Sequence, residues 1–349
     1  MPPVKWKYYY DTPSIDFDNF NSENAYNFIR GTYDVGAKEK IFDVGFQKLF
    51  HDQGKHQHTV ALYFLGCQLS NIVFDKLRDH ISLYIKKTDW YNFIYTWFLT
   101  CLYHDTAAVI EKYEYNCNSP KELDFYLDRY NIEYNVYDHM WENNKPYTYP
   151  ETLVKNYFSY RAEYWQAIDH GIIAGYLLYD KLKKNYNTNW EKVKSHHRNY
   201  NNFNYKNLQW KIEHLSHFAY VANAIIAHNI WYSEKNKESK SIYKQYGLNP
   251  LVYCETNMIS LHKDPLVFYL GLLDTIEPVK FFIPECDINS IWKAIQIEYN
   301  CTSCTLNIKT DGSLLENSEW FKKIRGMDSW LDVSIYEPEA DREINITIK

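Results

Sequence analysis

The chain has 349 residues, a formal net charge of −6 at pH 7 and an isoelectric point near 6.1. This length can bury one large core, or one core with a small appended domain. Because the charge is negative, we do not expect sequence-independent binding to nucleic acid, which depends on an excess of basic residues. The seven cysteines are scattered and odd in number, which fits a reducing compartment better than a disulfide framework.

The composition favours a mainly α protein. Glycine and proline number only 11 each, and aromatic residues make up 18% of the chain, so long helices packed through large side chains are expected. The N-terminal segment has no apolar core of a signal peptide. No run reaches the roughly 18 to 20 apolar residues of a membrane helix. We therefore expect a cytoplasmic protein without a membrane partner.

In chain order, residues 1–40 are polar and aromatic with weak periodicity, and we interpret them as an irregular N-terminal arm. Helical spacing of apolar residues begins near Ile41 and continues through a predicted helical domain, 41–284. Within that domain, Val60, Phe64 and Cys67 share one helix face. Further helices are predicted at 151–164, 165–184, 208–230 and 264–280.

Two polar stretches interrupt the helical domain, near 116–149 and 183–207, and we interpret them as inserted loops or short helices. The pattern changes again in the last region, 285–349. It indicates a helix at 292–298, strands at 304–308, 331–335 and 343–348, and a turn at Asp311-Gly312. We therefore predict a small C-terminal α+β region, which would either cover a site or mediate formation of a homodimer.

The segment WFLTCLYHDT places His104 and Asp105 together at the end of an apolar helical stretch. Adjacent residues on a helix do not share a face. Both can nevertheless reach one ion that lies at the helix end, with other helices supplying further ligands. A His-Asp pair alone is weak evidence, because most such pairs are structural.

Four other segments also place a candidate ligand within or at the end of an apolar helical stretch. They are HQHTVALYFLG with His58, DHGIIAGYLLYD with His170, ANAIIAHN with His228 and FYLGLLDTIEPVK with Asp274. A buried polar group without a partner is costly, and one shared cation would satisfy these segments together. Imidazole and carboxylate ligands suit Fe, Mn or Zn better than Mg. We expect one or two divalent metal ions.

The order of these residues resembles the H…HD…D signature of the HD-domain metal-dependent phosphohydrolase superfamily. The matching positions are His58, His104, Asp105 and Asp274. The phrases HGIIAGYLL, AIIAHN and LLDTIEP are similar to those of HD-type enzymes that split diadenosine tetraphosphate symmetrically. HDTAAVIEK is similar to a stretch of uncharacterised bacterial HD proteins. The resemblance covers about residues 45–282 and implies an HD-domain helical bundle for the domain 41–284.

The resemblance also implies roles for single residues. The four matching positions would bind the first ion, and Asp105 would bridge to a second ion held by His170 and His228. A metal-activated water would then attack a phosphorus atom. Lys280, or alternatively Lys55, would stabilise the leaving phosphate.

Each of two acidic residues has two alternative interpretations. Glu111, at the place of an acidic residue in the similar bacterial stretch, would orient a ligand or a water, or would be a solvent-exposed carboxylate beside Lys112. Glu277 would act behind a ligand or would cap the helix that follows Pro278. His56 is an alternative to His58 as the first ligand.

The expected function is a hydrolase acting on a small phosphorylated substrate such as a nucleotide. Two other classes stay open: an HD-fold di-iron oxygenase, and a non-catalytic HD scaffold that binds a partner. His214 and His217 have a spacing compatible with ligation but are more simply structural. Cys301 and Cys304 form a lone CxxC, which is insufficient for a structural zinc site.

Overall fold

The computed structural model describes residues 55–84, 93–113, 119–139, 141, 147–205, 208–231, 239–252, 258–283, 286–311, 319–338 and 342–349. Helices hold 61% of these residues and strands 12%, so the mainly α prediction is confirmed, together with the small C-terminal sheet. The predicted N-terminal arm, 1–40, and Gly312 of the predicted turn lie outside the described residues. The predicted domain boundaries stay predictions.

The described α-helices, in chain order, are α1 (Lys55–Gln68), α2 (Phe74–Tyr84), α3 (Phe93–His104), α4 (Ala108–Tyr113), α5 (Leu123–Arg129), α6 (Glu151–Tyr164), α7 (His170–Val193), α8 (Glu213–Ala227), α9 (Ser239–Gln245), α10 (Asn249–Val252), α11 (Pro265–Ile276), α12 (Val279–Phe282), α13 (Ile288–Ala294) and α14 (Glu319–Gly326). Short 3-10 helices span Ser70–Ile72, Val136–Asp138 and Met327–Ser329. The strands are β1 (Asn202–Tyr205), β2 (Leu208–Lys211), β3 (Ile295–Asn300), β4 (Thr305–Thr310), β5 (Val333–Tyr336) and β6 (Glu343–Ile348). No described helix combines the length and hydrophobicity that crossing a lipid bilayer requires.

The chain divides into two compact units. Among the described residues, the first unit comprises 78–230 and 246–248, and the second comprises 55–77, 231–245 and 249–349.

The first unit is built on α3, α7 and α8, which pack against one another. α7 approaches α8 closely because its first turns carry glycine: a Cβ added at Gly175 would lie 2.6 Å from the carbonyl oxygen of Ala222. Asp169 caps α7, its Oδ1 accepting from the N–H of Ile172 at 3.0 Å. The core of this unit therefore depends on residues that let two helix backbones come together.

The second unit combines an apolar helix with a sheet. α11 is buried along most of its length and packs against α1 and α14. It ends at Ile276 because Pro278 follows two residues later. Four antiparallel strands pair in the order β3-β4-β6-β5. Isoleucines alternate with polar residues along β6, which gives the strand one buried face.

Three predicted elements differ from the structure. Residues 208–211 form β2 rather than the start of a helix, because Trp210 pairs with Phe203 of β1 in an antiparallel hairpin. α7 continues to Val193, so the second polar stretch begins inside a helix and not in a loop. Residues 295–298 belong to β3, where Ile297 pairs with Ile308 of β4, and the predicted helix ends at Ala294.

Candidate metal centre

α3 ends at the residue that begins the His-Asp pair. His104 is its last residue, Asp105 starts the following turn, and they are 1% and 6% exposed. Nδ1 of His104 lies 2.8 Å from the carbonyl oxygen of Cys101. A carbonyl oxygen only accepts, so Nδ1 carries the proton and Nε2 carries the lone pair that can ligate a metal. Oδ2 of Asp105 lies 3.6 Å from this Nε2.

The other oxygen of Asp105 faces a second histidine. Oδ1 lies 3.2 Å from Nε2 of His170, the first residue of α7. The side-chain amide nitrogen of Asn229 lies 3.1 Å from the same Nε2 and can donate to it. One carboxylate thus directs its two oxygens at two different imidazoles, which is the arrangement that a bridging ligand needs.

His228 brings a third imidazole to this part of the first unit. Its ring centroid lies 5.9 Å from that of His104 and 5.7 Å from that of His170. Nδ1 of His228 lies 2.6 Å from the carbonyl oxygen of Ile225, which fixes the same tautomer as at His104. A Cβ at Gly171 would lie 2.6 Å from Cε1 of His228, so glycine at this position makes room for the ring.

A series of contacts between charged side chains begins at Nδ1 of His170. Nδ1 of His170 lies 2.5 Å from Oε2 of Glu111, and Oε1 of Glu111 accepts from Nη2 of Arg161 at 2.9 Å. Nε of Arg161 lies 3.7 Å from Oδ2 of Asp169, a fully buried carboxylate next to His170 in sequence. Glu111, whose side chain is 25% exposed, therefore contacts a predicted ligand.

The second unit holds a separate histidine between two carboxylates. His58, in the first turn of α1, is fully buried, and its Nδ1 lies 2.6 Å from Oε2 of Glu277. Its Nε2 lies 3.1 Å from Oδ1 of Asp274, in the last turn of α11. Glu277 also accepts from the N–H of Val279 at 2.6 Å and of Lys280 at 3.4 Å. The buried side chain of Glu277 thus contacts both His58 and backbone N–H groups at the start of α12.

Lys280 lies beside the same carboxylate. Its Nζ donates to Oδ1 of Asp274 at 2.6 Å, and the ammonium lies 5.3 Å from the centre of the Phe281 ring. The side chains of Lys280 and Asp274 are 21% and 23% exposed. A partly exposed ammonium therefore contacts the carboxylate oxygen that also faces His58.

The histidine tautomers indicate that the Nε2 atoms and the carboxylate oxygens beside them suit a divalent cation. Because Nδ1 of His58 donates to Glu277, its Nε2 and Oδ1 of Asp274 face each other as two acceptors. Two acceptors at 3.1 Å repel unless a proton or a cation lies between them. Imidazoles with Nδ1 fixed by a carbonyl or carboxylate and Nε2 directed at carboxylates are the usual surroundings of a bound metal.

The pKa values follow from the same geometry. Burial lowers the pKa of His58, but hydrogen bonds with its two carboxylate neighbours raise it above its ordinary value. Burial also lowers the pKa of His170, but hydrogen bonds with two carboxylates raise it to about 10. Burial raises the pKa of Glu111, but the bond from His170 lowers it below its ordinary value. Each histidine–carboxylate pair therefore attracts one positive charge, either a proton or a metal ion.

The predicted ligands gather within each unit. In the second unit, Nε2 of His58 and Oδ1 of Asp274 lie 3.1 Å apart. Asp105, His170 and His228 gather in the first unit, as described above. The identity and number of ions stay predictions.

Other candidates have different surroundings. Nε2 of His217 lies 2.8 Å from Oγ1 of Thr96, and Nδ1 of His214 bonds backbone groups of Lys211. The side chain of His56 lies outside the described residues. Lys55 is the first residue of α1. The CxxC cysteines lie exposed in the loop between β3 and β4.

Three contacting residues were not predicted: Arg161, Asp169 and Asn229. The last two adjoin predicted ligands in sequence, as the aspartate before His170 and the asparagine after His228, so adjacency was a usable signal. Nothing in the sequence connects Arg161 with Glu111, which lies 50 residues away.

No family model, no curated protein and no solved structure matches the chain. The HD-domain resemblance therefore stays a resemblance of motifs.

Proposed function

We propose that the chain is a metal-dependent phosphohydrolase of HD type, which hydrolyses a phosphate ester or anhydride, with a nucleotide as the favoured substrate class. One observation carries the proposal. Each of four histidines has its Nδ1 engaged by a carbonyl or a carboxylate, and three of them have Nε2 beside an aspartate. This pattern supports metal ligation more directly than burial of isolated histidines does.

In this proposal the first ion would bind four residues: His58, His104, Asp105 and Asp274. His170 and His228 would hold a second ion, with Asp105 shared between the two. The separate directions of the two Asp105 oxygens support this sharing. When bound, a divalent ion supplies a Lewis acid that lowers the pKa of a coordinated water and offsets charge on phosphoryl oxygens.

The chain's own residues would complete the reaction. The oxygen of water bonds to phosphorus, and the bond from phosphorus to the leaving oxygen breaks with its electron pair. A proton from the water passes to solvent or to the leaving oxygen. Lys280 would compensate negative charge, because its partly exposed ammonium already contacts Asp274.

The test measures bound metal and hydrolysis in the purified wild type and in an Asp105→Ala variant. We expect one or two transition-metal ions per chain in the wild type, and hydrolysis of at least one nucleotide in a screen with that metal. The variant should lose bound metal, and its rate should fall roughly a thousandfold or more, since several kcal/mol of metal assistance disappear. Asp79→Asn, at an exposed aspartate of the same unit, is the control.

Two outcomes would contradict the proposal. Wild type that binds no Fe, Mn or Zn after reconstitution would favour the non-catalytic scaffold. Wild type that binds iron and consumes oxygen, yet hydrolyses no phosphate compound, would favour the oxygenase.

A further inference from the structure

The support behind His170 extends beyond Glu111 to α6. Arg161 lies in the last turn of α6, and its Nη2 donates to Oε1 of Glu111. The other oxygen of Glu111 meets Nδ1 of His170. One guanidinium N–H that holds one oxygen of a carboxylate limits the rotation of that carboxylate, and thereby the direction of its other oxygen.

A buried carboxylate at the start of α7 lies close to the arginine. Asp169 is fully buried, and its Oδ2 lies 3.7 Å from Nε of Arg161. Its Oδ1 caps α7 through the N–H of Ile172. Asp169 thus caps the first turn of α7, where His170 begins the helix, and places a carboxylate 3.7 Å from the arginine that contacts Glu111. Three elements, α4, α6 and α7, meet in this one network.

We infer that Arg161 is a positioning residue for the second ion: by binding Glu111 it orients His170, and so sets the affinity of the ion that His170, His228 and Asp105 would hold. The inference rests on the proposed metal site. It assigns Arg161 no contact with substrate or metal. The proposed effect on the ion is the one that passes through Glu111.

The experiment measures Mn²⁺ binding to the full chain by calorimetry and by the electron paramagnetic resonance signal of free Mn²⁺. Wild type is compared with Arg161→Met, Glu111→Gln and the double variant. Each single change should weaken one of two Mn²⁺ affinities by roughly 10- to 100-fold, the usual effect of removing a partner behind a metal ligand. The double variant should lose no more than either single variant, because both changes act through one carboxylate.

Arg198→Met, an exposed arginine of the same unit, controls for the change in net charge and should leave both affinities unchanged. Arg161→Lys is the conservative variant. A lysine keeps the charge but not the fork, so we expect a smaller loss than in Arg161→Met. If Arg161→Met fails to fold, Arg161→Lys carries the test, alone and combined with Glu111→Gln.

Two results would overturn the inference. One is an unchanged second affinity when Arg161 is replaced. The other is a double variant whose losses add, which would show that Arg161 acts independently of Glu111. Failure of the proposed hydrolysis alone differs from both: the wild type would then bind two Mn²⁺ ions, respond to these variants as expected, and hydrolyse no phosphate compound. A wild type that binds no second Mn²⁺ ion would also overturn the inference.

Discussion

The two histidine–carboxylate pairs of this chain are alike in contact and different in support. His58 with Glu277 and His170 with Glu111 both join Nδ1 to a glutamate oxygen, at 2.6 and 2.5 Å. Glu277 is fully buried and held by backbone N–H groups at the start of α12. Glu111 has a side chain that is 25% exposed and is held by an arginine side chain.

The difference concerns how firmly each imidazole is fixed. A carboxylate held by backbone groups moves only if the chain moves, whereas one held by a long side chain can exchange partners with water. The exposures agree with this view, since the side chain of His58 is 0% exposed and that of His170 is 17% exposed. We expect the His58 pair to be the rigid one and the His170 pair to be the adjustable one.

The largest expected effect comes from replacing the buried glutamate. In Glu277→Gln, the amide would keep an oxygen for the N–H of Val279 and turn its nitrogen toward His58. Nδ1 would then have to accept, and the proton would move to Nε2, the nitrogen needed for a metal. We expect roughly 10- to 100-fold weaker binding of one Mn²⁺ ion, and a loss of about 1–3 kcal/mol in the free energy of unfolding.

Urea unfolding and Mn²⁺ titration measure these two effects. Glu319→Gln, at an exposed glutamate of the same unit, is the matched control. Glu111→Gln should cost less unfolding free energy than Glu277→Gln, because water can reach Glu111. Equal costs for the two would remove the distinction between a rigid and an adjustable pair.

The contact of α7 with α8 gives the next effect. Alanine at Gly171 would place Cβ 2.6 Å from the His228 ring, whereas alanine at Gly175 would meet the carbonyl oxygen of Ala222 at 2.6 Å. Both variants overpack the helix pair and should lose about 1–3 kcal/mol of unfolding free energy. Gly171→Ala should in addition weaken the binding of the second Mn²⁺ ion. The same Mn²⁺ loss in Gly175→Ala would show that general displacement of α8, rather than the ring contact, matters.

Much of the helical framework was predictable because local pattern and tertiary structure agree there. The predicted helix 151–164 and the predicted strand 343–348 have the bounds of α6 and β6. The local sequence pattern gave wrong predictions where pairing with another segment determines the secondary structure. Phe203 and Trp210 form a hairpin whose residues read as loop and helix, and the isoleucines of β3 pair with β4 only once the sheet exists.

In the candidate site, too, local features were predictable and contacts between distant elements were not. Each predicted ligand lies at or near a helix end, and that position could be read from where apolar runs stop. The groups that orient those ligands come from other elements. Glu277 is 219 residues from His58, and Glu111 is 59 residues from His170. The sequence offered Glu111 and Glu277 as supporting groups, but it did not indicate which histidine each one contacts.

The smallest effect concerns protons at histidines remote from the site. Burial lowers the pKa of His80 and of His139 to about 4 and that of His217 to about 3. Below pH 6.5 the unfolded chain binds protons at these positions and the folded chain does not, so the free energy of unfolding should fall as the pH drops from 6.5 to about 5. Each histidine should contribute roughly 1–2 kcal/mol to this loss.

A histidine with a raised pKa has the opposite effect on the pH dependence of stability, and the histidines of the two pairs are of this kind. The stability that protonated His170 provides in metal-free protein is complete below pH 6.5 and is lost as the pH rises through about 10. Urea midpoints of chelator-treated wild type and His217→Gln, measured from pH 7 to 5, isolate one buried proton site, since all other groups cancel in the difference. The variant should lose less stability than the wild type over this range. Parallel curves would mean that His217 takes up its proton in the folded chain, and that burial alone does not keep a histidine of this unit neutral.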